Sequence, residues 1–328
     1  MVMKVPPQHP ILSKQYAIFT PAIDQLAEVI GDWIEEQATG GYIWGPSRYG
    51  KSRAVQYFLS EILSERFGKK IPLVIINRTM AHNSAGAFFS DVLRAAGQKY
   101  WGSRQTPRKK EQMAINCFLA LAKGGGSNTA ILLIDEAQTM TDKELIWLTG
   151  LQNEIENAGV MLTVIQIGSH QLDYVHSIQA LTGNAHVSAR FFVRSAQFHG
   201  ISSIEQVKYV LIGYENDSEW PANSRTSFTE AFGMRPGQLT SLSQILWETF
   251  VKFFPKEYIE MQASIEIPMQ HFARTVEAIL KANAAGENWD ELCSEKSLAE
   301  IIAKTALDRH LQLVTAAFLR KKPDRGRV

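Results

Sequence analysis

The sequence predicts an α/β fold: a parallel sheet between helices, followed by a helical C-terminal region. Three observations carry this. Short apolar runs alternate with helical patterns from residue 40 to about 200. A strand–turn–helix pattern around residues 42–52 contains a complete glycine-rich phosphate loop. After about residue 200 every patterned segment reads as helix. Continuous apolar strands, without in/out alternation, belong to a parallel sheet covered on both faces, and each needs a crossover helix.

In chain order, residues 1–20 read as an extended arm. Residues 22–37 place Ile23, Leu26, Ile30, Trp33 and Ile34 at helical spacing, and Gly40-Gly41 ends that helix. A short strand at 42–44 leads into the phosphate loop. A helix over 51–67 stops at Gly68. Then follow strand 72–77, helix 84–97, a polar loop at 98–110 and helix 111–123, broken by GGGSN. Strand 129–134, helix 142–157, strand 161–167, helix 171–182 and strand 191–197 complete the alternation. Helices are expected at 203–215, 224–232, 237–253, 267–284 and 296–319. Trp44, Trp147, Trp247 and Phe250 read as core. The chain of 328 residues fits about two domains. The expected division is an arm and helix at 1–38, an α/β nucleotide-binding core at 39–200, and a helical lid and C-terminal region with a basic tail at 201–328.

Composition narrows the class. Hydrophobic residues at 45% and charged residues at 20% exclude wholesale disorder, collagen and coiled coil. The two cysteines, Cys117 and Cys293, are expected to be reduced thiols of an intracellular protein. The N-terminus lacks a continuous apolar run of the secretory type, and no stretch is long enough to span a bilayer. A cytoplasmic protein without a membrane partner is the expectation. The net charge of +1 excludes a global field that dictates the partner.

Residues Gly45-Pro46-Ser47-Arg48-Tyr49-Gly50-Lys51-Ser52 match G-x-x-x-x-G-K-[ST] in full. The two glycines let the backbone turn so that amide N–H groups face phosphate oxygens. The helix beginning near Lys51 adds its positive dipole end. Lys51 is placed to reach the β and γ phosphates of ATP, and the Ser52 hydroxyl to ligate Mg2+. Asp135-Glu136 follows the apolar run Ile131–Ile134 at a strand's C-terminal end, where open α/β sheets bind ligands. Asp135 suits holding the metal, and Glu136 suits polarising an attacking water. An Asp-Glu pair favours hydrolysis over group transfer to a small acceptor, which counts against a kinase.

Further residues are candidates for the same chemistry. Gln166, Ser169 or His170, at the end of the 161–167 strand, face the γ-phosphate or the water, Ser169 foremost. Asn77 ends the 72–77 strand and is placed to hydrogen-bond Glu136 and hold it inactive until a ligand binds. Arg190, with Arg194 as alternate, is a trans arginine finger in a ring-forming ATPase. Arg235, at the start of a helix, is a cis contact to nucleotide.

Residues 99–110 contain Lys99, Arg104, Arg108, Lys109 and Lys110 and no acid, interleaved with Tyr100 and Trp101. Thr106 is an expected N-cap and Pro107 a first-turn proline. A helix N-terminus beside lysines is a phosphate site. In a ring, this loop faces the pore and holds duplex DNA in a salt-dependent, largely sequence-independent way. The loop contributes +5 and residues 320–328 contribute +4, leaving −8 on the remainder. The tail is a second candidate contact for DNA or a partner.

Together, GPSRYGKS, ILLIDEAQ, TVIQIGSHQL and the Arg190-Phe191-Phe192 segment resemble an AAA+ ATPase. ILLIDEAQTM and IGSHQLDYV are similar to segments of the TnsC, TniB and MuB type of transposition regulator. The length and helical C-terminus are most like TnsC of CRISPR-associated transposons. The likeness covers residues 20–250. Gly168-Ser169-His170 departs from the Gly-Gln-Pro or Gly-Thr-Pro of that type. The resemblance implies ATP and Mg2+ binding, a homo-oligomeric ring or filament on duplex DNA, recruitment of a transposase, and contact with a TniQ-like targeting adaptor. The alternative is an AAA+ ATPase of a non-DNA assembly, in secretion or signalling. The basic 99–110 loop favours DNA.

Overall fold

The computed structural model describes residues 5–172, 185–261 and 264–319. Most of the expected 171–182 helix and the basic tail at 320–328 lie outside them. The chain divides into two compact units. One comprises Ile23–Pro46 and the described residues of Lys51–Phe198. The other comprises the described residues of Met1–Ala22, Ser47–Gly50 and His199–Val328.

The first unit is a five-stranded parallel sheet between helices. Its strands are β1 (Gly40–Trp44), β2 (Leu73–Asn77), β3 (Thr129–Asp135), β4 (Met161–Gly168) and β5 (Ser195–Gln197). Their order across the sheet is β2-β3-β4-β1-β5. The expectation of a parallel sheet with crossover helices therefore holds. The register sets Asn77 opposite Asp135, and Trp44 opposite Gly168. The C-terminal ends of β1, β3 and β4 thus share one edge. Ala130–Ile134 of β3 are fully buried, which is why that strand reads as an unbroken apolar run. Each Ile and Leu side chain of this run stabilises the fold by roughly 1.5–3 kcal/mol. One face packs on Phe88, Phe89, Val92, Phe118, Leu148 and Leu151.

Helices lie close to their expected bounds at Pro21–Glu35, Ala85–Ala95 and Asp142–Asn157. The 51–67 helix carries a π-helical stretch at Val55–Leu59. The 111–123 helix starts earlier, at Pro107, with Thr106 as its N-cap. The expected 191–197 strand is shorter. Ala185–Phe191 is helical, and β5 begins at Ser195. Aromatic propensity suggested strand, but Val187 and Phe191 bury one helical face four residues apart, with Phe191 seated against Gly40.

The second unit is helical. Its core holds Ile11, Val210, Tyr214, Phe250, Phe272 and Leu298. The arm expected to be extended contains a helical turn at Pro10–Ser13, with Pro at its start and Ile11 fully buried. The expected 224–232 helix is reduced to Phe228–Ala231, which begins at a Ser227–Glu230 capping box. The expected 237–253 helix is a 3-10 turn, Thr240–Leu242, followed by Ser243–Val251. The 296–319 helix is two, Glu295–Lys304 and Leu307–Leu319, because Ala306 takes a left-handed φ of 60°. Met269–Ala285 matches its expectation. Phe250 is fully buried, and Trp44, Trp147 and Trp247 pack half-buried against the two cores. Cys117 is buried and Cys293 half-buried; both are free thiols, and burial pushes Cys293 up to about 11. Among the described residues no helix is long and apolar enough to cross a membrane.

Candidate nucleotide-binding site

The phosphate loop connects β1 to the helix that starts at Lys51. Its glycines are needed for two different reasons. Gly50 has φ +105°, which side-chain-bearing residues rarely adopt. A Cβ on Gly45 would sit 2.6 Å from the Phe198 carbonyl oxygen. Arg48 also takes a left-handed φ, 71°. Tyr49 is buried, its hydroxyl 3.1 Å from that of Tyr258 and donating to the Glu266 carbonyl at 3.2 Å. Arg48 donates to Gln270 Oε1 at 3.2 Å. The variable positions of the loop are therefore anchored by residues of the helical unit, to which Ser47–Gly50 belong.

Lys51 is almost fully buried. Its ammonium donates to the Gly45 carbonyl at 2.9 Å and the Pro46 carbonyl at 2.8 Å. Burial pulls its pKa down to about 8, partly opposed by the negative charges of Asp135 and Glu136. The helix start and this buried cation together favour an anion.

Ser52 Oγ donates to Asp135 Oδ2 at 2.5 Å. Asp135 Oδ1 accepts the Glu136 N–H at 2.9 Å, so the buried Asp135 carboxylate has both oxygens engaged. Two hard oxygen donors converge here. That donor set fits Mg2+, which takes one or two protein oxygens and fills its octahedron with phosphate and water. Glu136 is different. It is exposed, sits in a left-handed turn with φ 56°, and accepts from Gln138 Nε2 at 2.6 Å.

The other expected residues fall at several distinct places. Ser169 is next to this edge. Its N–H donates to Gln138 Oε1 at 3.3 Å, and its hydroxyl accepts from the Gln171 N–H at 3.3 Å. Gln166 is fully buried within β4, with both amide atoms unpartnered. Asn77 is exposed at the end of β2. Among the described residues no hydrogen bond joins it to Glu136; Gln138 holds that carboxylate instead. Arg190 donates to Gln152 Oε1 at 3.1 Å. Gln152 in turn donates to the carbonyls of Thr39 and Leu162, at the N-terminal ends of β1 and β4. Arg190 thus lies at the edge of the sheet opposite its own phosphate loop. Arg194 pairs with Glu36. Arg235 is exposed in the helical unit.

Lys99, Arg104, Arg108 and Lys109 are exposed. Thr106 caps the following helix by accepting the Lys109 N–H at 3.3 Å. Lys110 is half-buried and donates to Ser90 at 2.6 Å.

Gln138 belongs to the site although it is not among the expected residues; its place in the segment Asp135-Glu136-Ala137-Gln138 is the one sequence signal for it.

Residues 34–175 match the family model described as an AAA domain. Comparison with curated proteins finds no match. The Aeropyrum pernix ORC2 protein, solved as ADPNP–ADP complexes, aligns at 12% identity with a TM-score of 0.58 over 91% of this chain and 72% of that one. The Aeropyrum pernix ORC1 protein in complex with DNA aligns at 12% identity with a TM-score of 0.53, over 96% of this chain and 72% of that one. The chain has the AAA+ fold, with a five-stranded parallel sheet and a helical C-terminal region.

Proposed function

We propose that this chain is an ATP-hydrolysing switch that oligomerises on duplex DNA and regulates transposition. One observation carries the ATPase part: Lys51, Ser52, Asp135 and Glu136 meet at one edge of the sheet with divided tasks. Lys51 exchanges its two loop carbonyls for phosphate oxygens and neutralises them. Ser52 and Asp135 hold Mg2+, which when bound would draw charge from the β- and γ-phosphates. Glu136, exposed and in reach of solvent, orients and deprotonates the attacking water. Gln138 fixes its carboxylate, and Ser169 is a secondary contact on the same side. Arg190, at the opposite edge, serves a neighbouring subunit's nucleotide, and Arg235 is a further candidate for nucleotide contact.

The DNA part rests on four exposed cations beside a capped helix N-terminus. The ORC1 relative was solved with DNA, which agrees with this reading. The sequence segments ILLIDEAQTM and IGSHQLDYV support the narrower role of a TnsC-type regulator. Such a regulator recruits a transposase to a site marked by a targeting adaptor.

The test is sedimentation of the protein with duplex DNA and a non-hydrolysable ATP analogue. ATP-dependent oligomers on DNA are expected. Monomers that never bind DNA would instead favour a non-DNA assembly. Replacing Lys99, Arg104, Arg108 and Lys109 by Gln is expected to weaken DNA binding by about 10²-fold at moderate salt and to flatten the slope of log K against log salt. ATP turnover without DNA stays at the wild-type level. Titrations at several salt concentrations check this, and an unchanged slope would remove this loop from the interface.

A further inference from the structure

Glu136 has a backbone conformation that needs outside support. A side-chain-bearing residue at φ 56° is held there only when its surroundings enforce it. The support lies in the turn that follows. The Thr139 N–H donates to the Glu136 carbonyl at 3.1 Å, and the Thr139 hydroxyl donates to the same oxygen at 2.9 Å. That hydroxyl in turn accepts from Arg78 Nε at 3.1 Å. A hydroxyl with its proton committed in one direction and a lone pair in the other cannot rotate away.

Arg78 is itself immobilised. Its side chain is buried, and Nη2 donates to Glu144 at 2.8 Å and to the Met80 carbonyl at 3.0 Å. Nη1 lies 3.3 Å from His82 Nδ1. Glu144 is fully buried and accepts, besides Arg78, the His82 N–H at 2.9 Å and the Thr141 N–H at 2.8 Å. Burial alone would raise the Glu144 pKa. The hydrogen bonds from Thr141, His82 and Arg78 outweigh it and hold the carboxyl below its usual value, so the ion pair is intact. Such a pair is a costly way to gain stability. Here it fixes a planar donor in one orientation, and the Nε of that donor points at the turn carrying Glu136. The Arg78 N–H also donates to the Asp135 carbonyl at 3.3 Å, so the same residue holds the backbone behind Asp135 directly and the turn carrying Glu136 through Thr139.

We infer that Arg78 is a positioning residue for ATP hydrolysis: through the Thr139 hydroxyl it sets the turn that aims the Glu136 carboxylate. This rests on the ATPase reading above. The Arg78 side chain reaches the Glu136 turn through the Thr139 hydroxyl.

The test uses the full chain and reads two quantities, kcat for phosphate release and the Kd of a non-hydrolysable ATP analogue. Thr139→Val removes the hydroxyl from a half-buried position and leaves the Arg78–Glu144 pair intact. It is expected to lower kcat by about tenfold while Kd stays within about twofold. Thr139→Ser restores the hydroxyl and is expected to retain wild-type kcat. Arg78→Lys keeps a charge for Glu144 but loses the Nε donor. Combined with Thr139→Val it is expected to add nothing to the effect on kcat, because both changes break the same link. Wild-type kcat in Thr139→Val, a Kd that weakens in step with kcat, or additive effects in the double variant would each overturn the positioning role alone. Absence of turnover in the wild-type protein with Mg2+ would overturn the ATPase reading and this inference together.

Discussion

Glu136→Gln is expected to leave nucleotide binding intact and to slow ATP turnover by about 10²–10⁴-fold. The two adjacent carboxylates differ in environment, and that difference assigns their roles. Asp135 is buried, one oxygen accepting from the Ser52 hydroxyl and the other from the Glu136 N–H. Glu136 is exposed, and among the described residues its carboxylate accepts a side-chain hydrogen bond from Gln138 alone. A glutamine at 136 is nearly isosteric and keeps a carbonyl oxygen for Gln138, so the turn survives. It has no basicity to offer a water. Phosphate release under saturating ATP, with calorimetry on a non-hydrolysable analogue, separates the two effects. Oligomers formed on DNA by this variant are expected to persist, since the step that would reset them is missing. Turnover at the wild-type rate would transfer the water-activating role to another residue.

The parts of this site carried by local sequence were legible before any coordinates. The phosphate loop is contiguous, and its glycines and lysine are fixed by what backbone amides must do around phosphate. Asp135-Glu136 is announced by four apolar residues, because a strand buried on both faces cannot carry charge until it ends. The parts assembled from distant segments were not legible. Arg78 reads as an ordinary residue after a strand. Its meaning comes from Thr139, 61 positions later, and Glu144, 66 positions later. Only the T-x-x-E capping box at Thr141–Glu144 was open to pattern reading, and it signals a helix start, not an ion pair. Asn77 shows the reverse error. Its place at the end of β2 is as expected, but a hydrogen bond to Glu136 depends on where two side chains point, and Gln138 is closer along the chain. Phe191 misled through propensity: an aromatic pair favours strand until burial against Gly40 selects helix.

Lys51→Ala is expected to weaken ATP binding on the order of 10²-fold and to abolish nucleotide-dependent oligomers on DNA. The ammonium is buried against the loop, and its two partners are loop carbonyls that phosphate oxygens would replace. Its depressed pKa adds a signature that a merely damaged loop would lack. Burial lowers the group to about 8, while Asp135 and Glu136 pull it upward. Only the protonated form attracts phosphate, so the sign is fixed. Affinity is full below about pH 7 and falls as the pH rises through 8, by about tenfold at pH 9. Lys51→Ala removes this decline along with the affinity, whereas a change at Arg48 or Tyr49 lowers affinity and leaves the decline in place. Calorimetry of the ATP analogue across pH 6.5–9.5 makes the comparison. A wild-type affinity that stays flat across that range would mean that the lysine keeps its proton throughout. Burial would then not govern this site, and attraction by the two carboxylates would.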